Sequence, residues 1–164
     1  EIFNISNKIL LISSLIFFYA IPFIFTKSIN LKFFSKNNIL FASFIVILLS
    51  YFFSYDVRYT GGGIFFKLSN ILFNNNILFF IISIFCITFI LESIKDKNNL
   101  LLVLLIYLNN PQITIYHKYY DPLLFVMFLT IFKLKIQEKN LFKKNSLIFF
   151  YFFSSSFLLL SYFK

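Results

Sequence analysis

Charge in this chain is confined to the gaps between apolar blocks, and that arrangement restricts the fold more than any other feature. The stretch ILLISSLIFFYAIPFIFT, residues 9–26, runs from Lys8 to Lys27 without one charged side chain. A segment with no charge on any face cannot give a helix one wet side. Three more long blocks repeat the pattern: 39–55 (ILFASFIVILLSYFFSY), 77–91 (ILFFIISIFCITFIL) and 146–163 (SLIFFYFFSSSFLLLSYF). A bilayer core of ~30 Å takes roughly 20 apolar residues in a helix, fewer where flanking side chains snorkel. The four blocks therefore read as membrane spans, with Pro22 an expected kink in the first.

Two shorter apolar runs, 100–108 (LLLVLLIYL) and 123–132 (LLFVMFLTIF), are each too short to span alone. Flanking residues complete them, or they form the two arms of a re-entrant hairpin. Asp121-Pro122 predicts a helix start, with a carboxylate able to cap and proline at the first helical position. In 64–73 (IFFKLSNILF), Ile64, Leu68, Ile71 and Leu72 share one helical face, while Lys67, Asn70 and then Asn74 share the other. That pattern predicts a short helix lying in the interface plane.

The expected fold class is all-α: a polytopic membrane protein of about six hydrophobic helices, two of them short or re-entrant, plus the interfacial helix. Composition agrees, with 60% hydrophobic residues, 13% charged and a mean hydropathy of +0.86, well above a soluble domain. Residues 1–164 are expected to form one transmembrane domain. Because the sequence opens at Glu1 without a methionine, it is expected to be the C-terminal part of a longer protein.

A net charge of +9 in a soluble domain would point to nucleic acid. Here the lysines sit in short loops between spans, where they set orientation and meet anionic headgroups, so membrane lipids are the expected partner and nucleic acid is not. The single cysteine, Cys86, excludes an internal disulfide, and one histidine with no paired carboxylates argues against a metal site. Nothing in the chain calls for a cofactor, and no internal repeat indicates a transporter of paired halves.

Alternate loops differ sharply in basic residues. Loops 27–38, 92–99 and 133–145 together carry ten lysines, while loops 56–76 and 109–122 carry Arg58, Lys67 and Lys118. Lys8 and Lys164 at the two ends raise the second group to five. The positive-inside rule places the ten-lysine loops in the cytoplasm and loops 56–76 and 109–122 on the non-cytoplasmic face. A re-entrant hairpin over 100–132 leaves this assignment unchanged.

The two outward loops gather the rare residues. YDVRYTGGGIFFK, residues 55–67, contains the only arginine and all three glycines, and NNPQITIYHKYYDP, residues 109–122, contains the only histidine. The bias toward Phe, Ile, Asn and Lys resembles that of an AT-rich genome, so lysine abundance is partly codon drift and a lone arginine stands out. Arg58 can grip a phosphate or carboxylate with two parallel hydrogen bonds. Gly61, Gly62 and Gly63 can turn backbone N–H groups toward an anion, beside the positive end of the following helix. His117 and Lys118 add charge, and Asp56 can orient Arg58 or a sugar hydroxyl. Tyr59, Tyr116, Tyr119 and Tyr120 offer flat faces to a sugar ring.

Each feature has a plainer role beside the functional one. Asp56 and Arg58 can form a surface ion pair, the glycines a simple turn, and the tyrosines part of an interfacial belt. His117 can be structural, Asp121 can pair with Lys118 or cap a helix, and Glu92 and Asp96 can merely solvate a loop.

Asp56-Val-Arg58-Tyr59-Thr60, at the outer end of a span, resembles the Asp-Asn-Arg-His-Tyr-Thr signature of the dolichyl-phosphate-glucose-dependent α-1,2-glucosyltransferases, which are membrane enzymes of the GT-C superfamily. Some sixty residues later those enzymes carry an Arg-Tyr-Phe segment leading into a late span, and Lys118-Tyr119-Tyr120 followed by 123–132 is similar in kind and distance. Here the signature is one residue shorter and lacks its histidine, and lysine stands where arginine is expected. The resemblance implies transfer of a sugar from a polyprenyl-phosphate donor to an acceptor on the non-cytoplasmic face. It also implies that the residues named above bind donor phosphate and sugar, with the catalytic carboxylate elsewhere; no catalytic residue is identified in this chain. Two other readings compete: a flippase or polymerase of lipid-linked glycans, and a non-enzymatic membrane scaffold. No charge lies in the middle of an expected span, which speaks against a translocation path. Asp56, Arg58, Lys118 and Asp121 converging within side-chain reach would favour the enzyme, and wide separation of the two outer loops the scaffold.

Overall fold

The computed structural model describes residues 2–26, 34–56, 61–108, 115, 120–132, 140 and 142–162. Among them the regular structure is entirely helical. The helices are α1 (Ile2–Phe25), α2 (Lys36–Tyr51), α3 (Gly63–Phe73), α4 (Ile77–Ser93), α5 (Lys97–Leu108), α6 (Asp121–Thr130) and α7 (Lys144–Tyr162). The all-α expectation therefore holds. One stretch, Ile5–Phe25, is long and apolar enough to cross a membrane by length and composition, and two thirds of it is buried within the protein.

The chain forms two compact units, Glu1–Tyr19 with Lys32–Lys133, and Ala20–Leu31 with Leu134–Lys164. In the first unit, Leu10, Leu11, Ile12, Leu15 and Ile16 of α1 are fully buried, as are Ala42 of α2 and Phe79, Cys86 and Phe89 of α4. Polar bonds fix the chain direction of the helices. Asn7 Oδ1, near the start of α1, accepts the N–H of Ser54 just past α2 at 3.0 Å. Asn38 Nδ2, at the start of α2, donates to Glu92 Oε2 at the end of α4 at 2.8 Å. The packed pair α2 and α4 is thus antiparallel. At the other end of that pair, Phe53 meets Phe66, Phe79 and Phe80 with ring centroids 5.4–5.8 Å apart, mostly edge-on, as ring quadrupoles prefer. In the second unit, Phe23 and Phe25 of α1 meet Phe150 and Phe149 of α7.

Hydroxyls inside the helices turn back on their own backbone. Ser83 bonds the carbonyl of Phe79, Thr88 that of Ile84 and Ser93 that of Phe89, each four residues earlier. Such bonds satisfy a hydroxyl where no water reaches it. Ser13 donates to Ile9 O and also meets Tyr107 Oη at 2.7 Å, joining α1 to α5.

The outward sides of several helices are apolar too. On α2, Leu40, Phe41, Phe44, Ile47, Leu48 and Tyr51 form an exposed stripe, and α5 exposes Leu100, Leu101, Leu104, Leu105 and Leu108. A helix facing water would carry charge there.

Helix ends differ from the sequence expectation where tertiary bonds decide them. The second span is expected to reach residue 55, but α2 stops at Tyr51, where the Phe52 N–H turns back to Leu49 O and Ser50 O. Ser54 and Tyr55 are then taken up by contacts elsewhere. The short runs become α5 and α6, two separate helices of ~18 and ~15 Å, neither long enough alone to cross a bilayer core. Asp121 is not the cap of α6. Tyr120 occupies that position without a side-chain cap bond, and Asp121 is the first helical residue. The expected amphipathic segment forms α3, whose Leu68, Ile71, Leu72 and Phe73 are exposed while Phe66 and Ser69 are buried.

Candidate functional site

The chain leaves α2 through Tyr55, which is only 5% exposed. Its ring packs edge-on against Phe66 of α3, with centroids 5.4 Å apart and planes at 89°. Above that ring pass the glycines, with φ of +132° at Gly61, +80° at Gly62 and +79° at Gly63. A residue with a Cβ rarely enters this half of backbone space. Space excludes one as well: at Gly61 a Cβ would sit 2.5 Å from Ile115 O and 3.1 Å from Tyr55 Oη. At Gly62 it would sit 2.7 Å from Phe66 Cδ1 and 2.9 Å from Tyr55 Cε1.

Ile115 is the point where the second loop arrives. It is fully buried in a segment otherwise rich in polar residues, and both its backbone groups are held by the first loop. Its carbonyl accepts the Gly62 N–H at 2.9 Å, and its N–H approaches Tyr55 Oη at 3.4 Å, a long bond. The two loops that sequence singled out therefore touch, through backbone at Gly62 and Ile115. Glycine is required here for close approach of two backbones. The Gly62 N–H is occupied by Ile115, so it does not point into an open anion cradle.

Around this clasp the expected site residues fall in three groups. Gly61 and Gly62 build it and Gly63 opens α3; Asp56, directly after Tyr55, is half-buried; Tyr120 is buried at the head of α6, where its carbonyl accepts the Leu124 N–H at 2.8 Å. Asp121 is described in its backbone alone. Arg58, Tyr59, His117, Lys118 and Tyr119, with Tyr116, lie outside the described residues.

Sequence reasoning missed Tyr55 and Ile115. Tyr55 looks like the last residue of a span, and Ile115 like filler in a polar loop. The signal was an apolar residue isolated among polar ones, paired with a glycine run that must accommodate something close. Glu92 and Asp96 were also undervalued. Glu92 joins Asn38 and pairs with Lys95 at 2.7 Å, and Asp96 Oδ1 accepts the Asn98 N–H at 2.9 Å at the start of α5.

No family model, curated protein or solved structure matches this chain. The likeness to GT-C enzymes thus stands on the two loop motifs alone.

Proposed function

We propose that this chain is part of a multi-span membrane glycosyltransferase that moves a sugar from a polyprenyl-phosphate donor to an acceptor on the non-cytoplasmic face. The observation that carries the reading is the clasp. Arg58 stands four residues before Gly62 and Lys118 three residues after Ile115, so the backbone contact at Gly62 and Ile115 joins the two loops whose sequences carry them.

The membrane part of the proposal is supported by the exposed apolar stripes of α2 and α5 and by the back-bonded hydroxyls inside α4. Sidedness is supported by two contacts. The Asn38–Glu92 bond joins the loop around residue 36 to the loop after residue 92, two of the lysine-rich segments. The Gly62–Ile115 bond joins the two lysine-poor segments. α3, with its exposed Leu68, Ile71 and Leu72, then lies along the outer interface beside the clasp.

The chemistry follows from charge. As an acceptor hydroxyl oxygen bonds to the anomeric carbon and gives its proton to the carboxylate that the resemblance places elsewhere, the bond from that carbon to the donor phosphate breaks. The leaving phosphate gains negative charge, and Arg58 and Lys118 stabilise it as fixed donors. Asp56 and the tyrosines orient the sugar. The test uses the full protein in vesicles with a polyprenyl-phosphate-linked sugar as donor. Sugar transfer that falls at least 100-fold, roughly the value of one such donor, in Arg58→Ala and Lys118→Ala supports the reading. Transfer unaffected by both changes, or none with the unaltered chain, sinks it.

A further inference from the structure

We infer that Tyr55 is the positioning residue of this site: its ring is the floor on which the two loops are set in register, so that groups from both act on one phosphate. The inference rests on the sugar-phosphate reading above and adds a residue to which the resemblance assigns no role. Two contacts hold this side chain, and two glycines pass too close to it to carry a Cβ. Phe66 fixes the ring from the side at 5.4 Å, and ring atom Cε1 lies 2.9 Å from where a Gly62 Cβ would stand. The hydroxyl lies 3.4 Å from the Ile115 nitrogen and 3.1 Å from the site of a Gly61 Cβ. One buried tyrosine thus touches both partners of the Gly62–Ile115 bond.

Register matters because a phosphate is small. Two donors serve it together only when both are held within hydrogen-bond reach, and a displacement of ~1 Å removes most of the benefit. Phe66 and Tyr55 are rigid aromatic groups with few rotatable bonds, so the floor they form moves little with the surrounding loops. Tyr55 itself need not touch the ligand.

The experiment measures retention of polyprenyl phosphate in phosphatidylcholine vesicles by the full chain, comparing Tyr55→Phe and Tyr55→Leu with the unaltered protein. Tyr55→Phe keeps the ring and loses the long bond, so retention should weaken by about threefold. Tyr55→Leu removes the floor and should weaken it by about tenfold or more. A purely structural role is separated by coupling. In the unaltered background, Arg58→Ala and Lys118→Ala together should cost less than the product of their separate effects, because both serve one phosphate. In Tyr55→Leu, which lacks the floor, the two losses should multiply independently. Retention that drops in Arg58→Ala but stays whole in both Tyr55 variants overturns the inference and leaves the sugar-phosphate reading standing. If the unaltered chain retains no polyprenyl phosphate, that reading fails instead, and the clasp is read by an arginine-specific protease. Arg58 is its single target in the chain. Faster cleavage in Tyr55→Leu upholds Tyr55 as the floor, and equal rates overturn it.

Discussion

Beyond the two ends of α2 the chain is tied by opposite means. Near Lys36 and Glu92 the tie is made of side chains: Asn38 reaches Glu92, which also pairs with Lys95. Near Tyr55 it is made of backbone, with Gly62 donating to Ile115 over a tyrosine ring. Long polar side chains adjust when a neighbour changes. Backbone contact at van der Waals distance has no slack, and it depends on atoms that glycine lacks. The first end tolerates substitution; the second does not.

Five substitutions break or sharpen that contrast, each read as a shift in thermal unfolding of the detergent-solubilised protein. Gly61→Ala should have the largest effect, a loss of at least about 3 kcal/mol, because a Cβ would meet the Ile115 carbonyl at 2.5 Å on a backbone at φ +132°. A near-native melting point would mean that the loops part easily and the clasp is not fixed. Gly62→Ala should cost about 2 kcal/mol, since the intruding Cβ meets the rims of two rings, which can shift by tenths of an ångström. An effect larger than that of Gly61→Ala would reverse the order of importance between carbonyl and rings.

Tyr107→Phe should cost about 1 kcal/mol by removing the 2.7 Å bond to Ser13, and Ser13→Ala added to it should cost little more. Full additivity of the two would show that they do not interact. Glu92→Gln comes last, at no more than about 0.5 kcal/mol, because the Lys95 side chain is 64% exposed and an amide oxygen can still accept from Asn38. A loss as large as that of Gly62→Ala would erase the distinction between the two ends.

Much of the fold was legible in sequence, for a physical reason. Long uncharged apolar runs marked where the helices lie, and α4 begins at Ile77 as its block does. The apolar stripe of α3 was legible from the spacing of Leu68, Ile71 and Leu72, while its buried side, Phe66 and Ser69, was not. The helix ends were not, because they depend on partners distant in sequence. α2 stops where Asn7, some forty-seven positions earlier, takes the Ser54 N–H. In the candidate site, the two loops could be picked out by their rare residues, while the contact between them could not. It runs through backbone atoms and through Tyr55, whose neighbours in sequence are typical of a helix end. The glycine run announced that space was short without saying what filled it.

The burial of Ile115 has one more consequence. It pins the connection between Leu108 and Tyr120 at its middle, turning one long link into two short ones. Closing a short link costs less entropy than closing a long one, and each half closes independently of the other. Insertions or deletions between Leu108 and Ile115 can therefore accumulate in related chains without shifting the segment after Ile115, whereas a change of one residue at Ile115 itself would move both halves. Length variation on either side of a fixed apolar residue is the pattern by which distant relatives of this chain would be recognised.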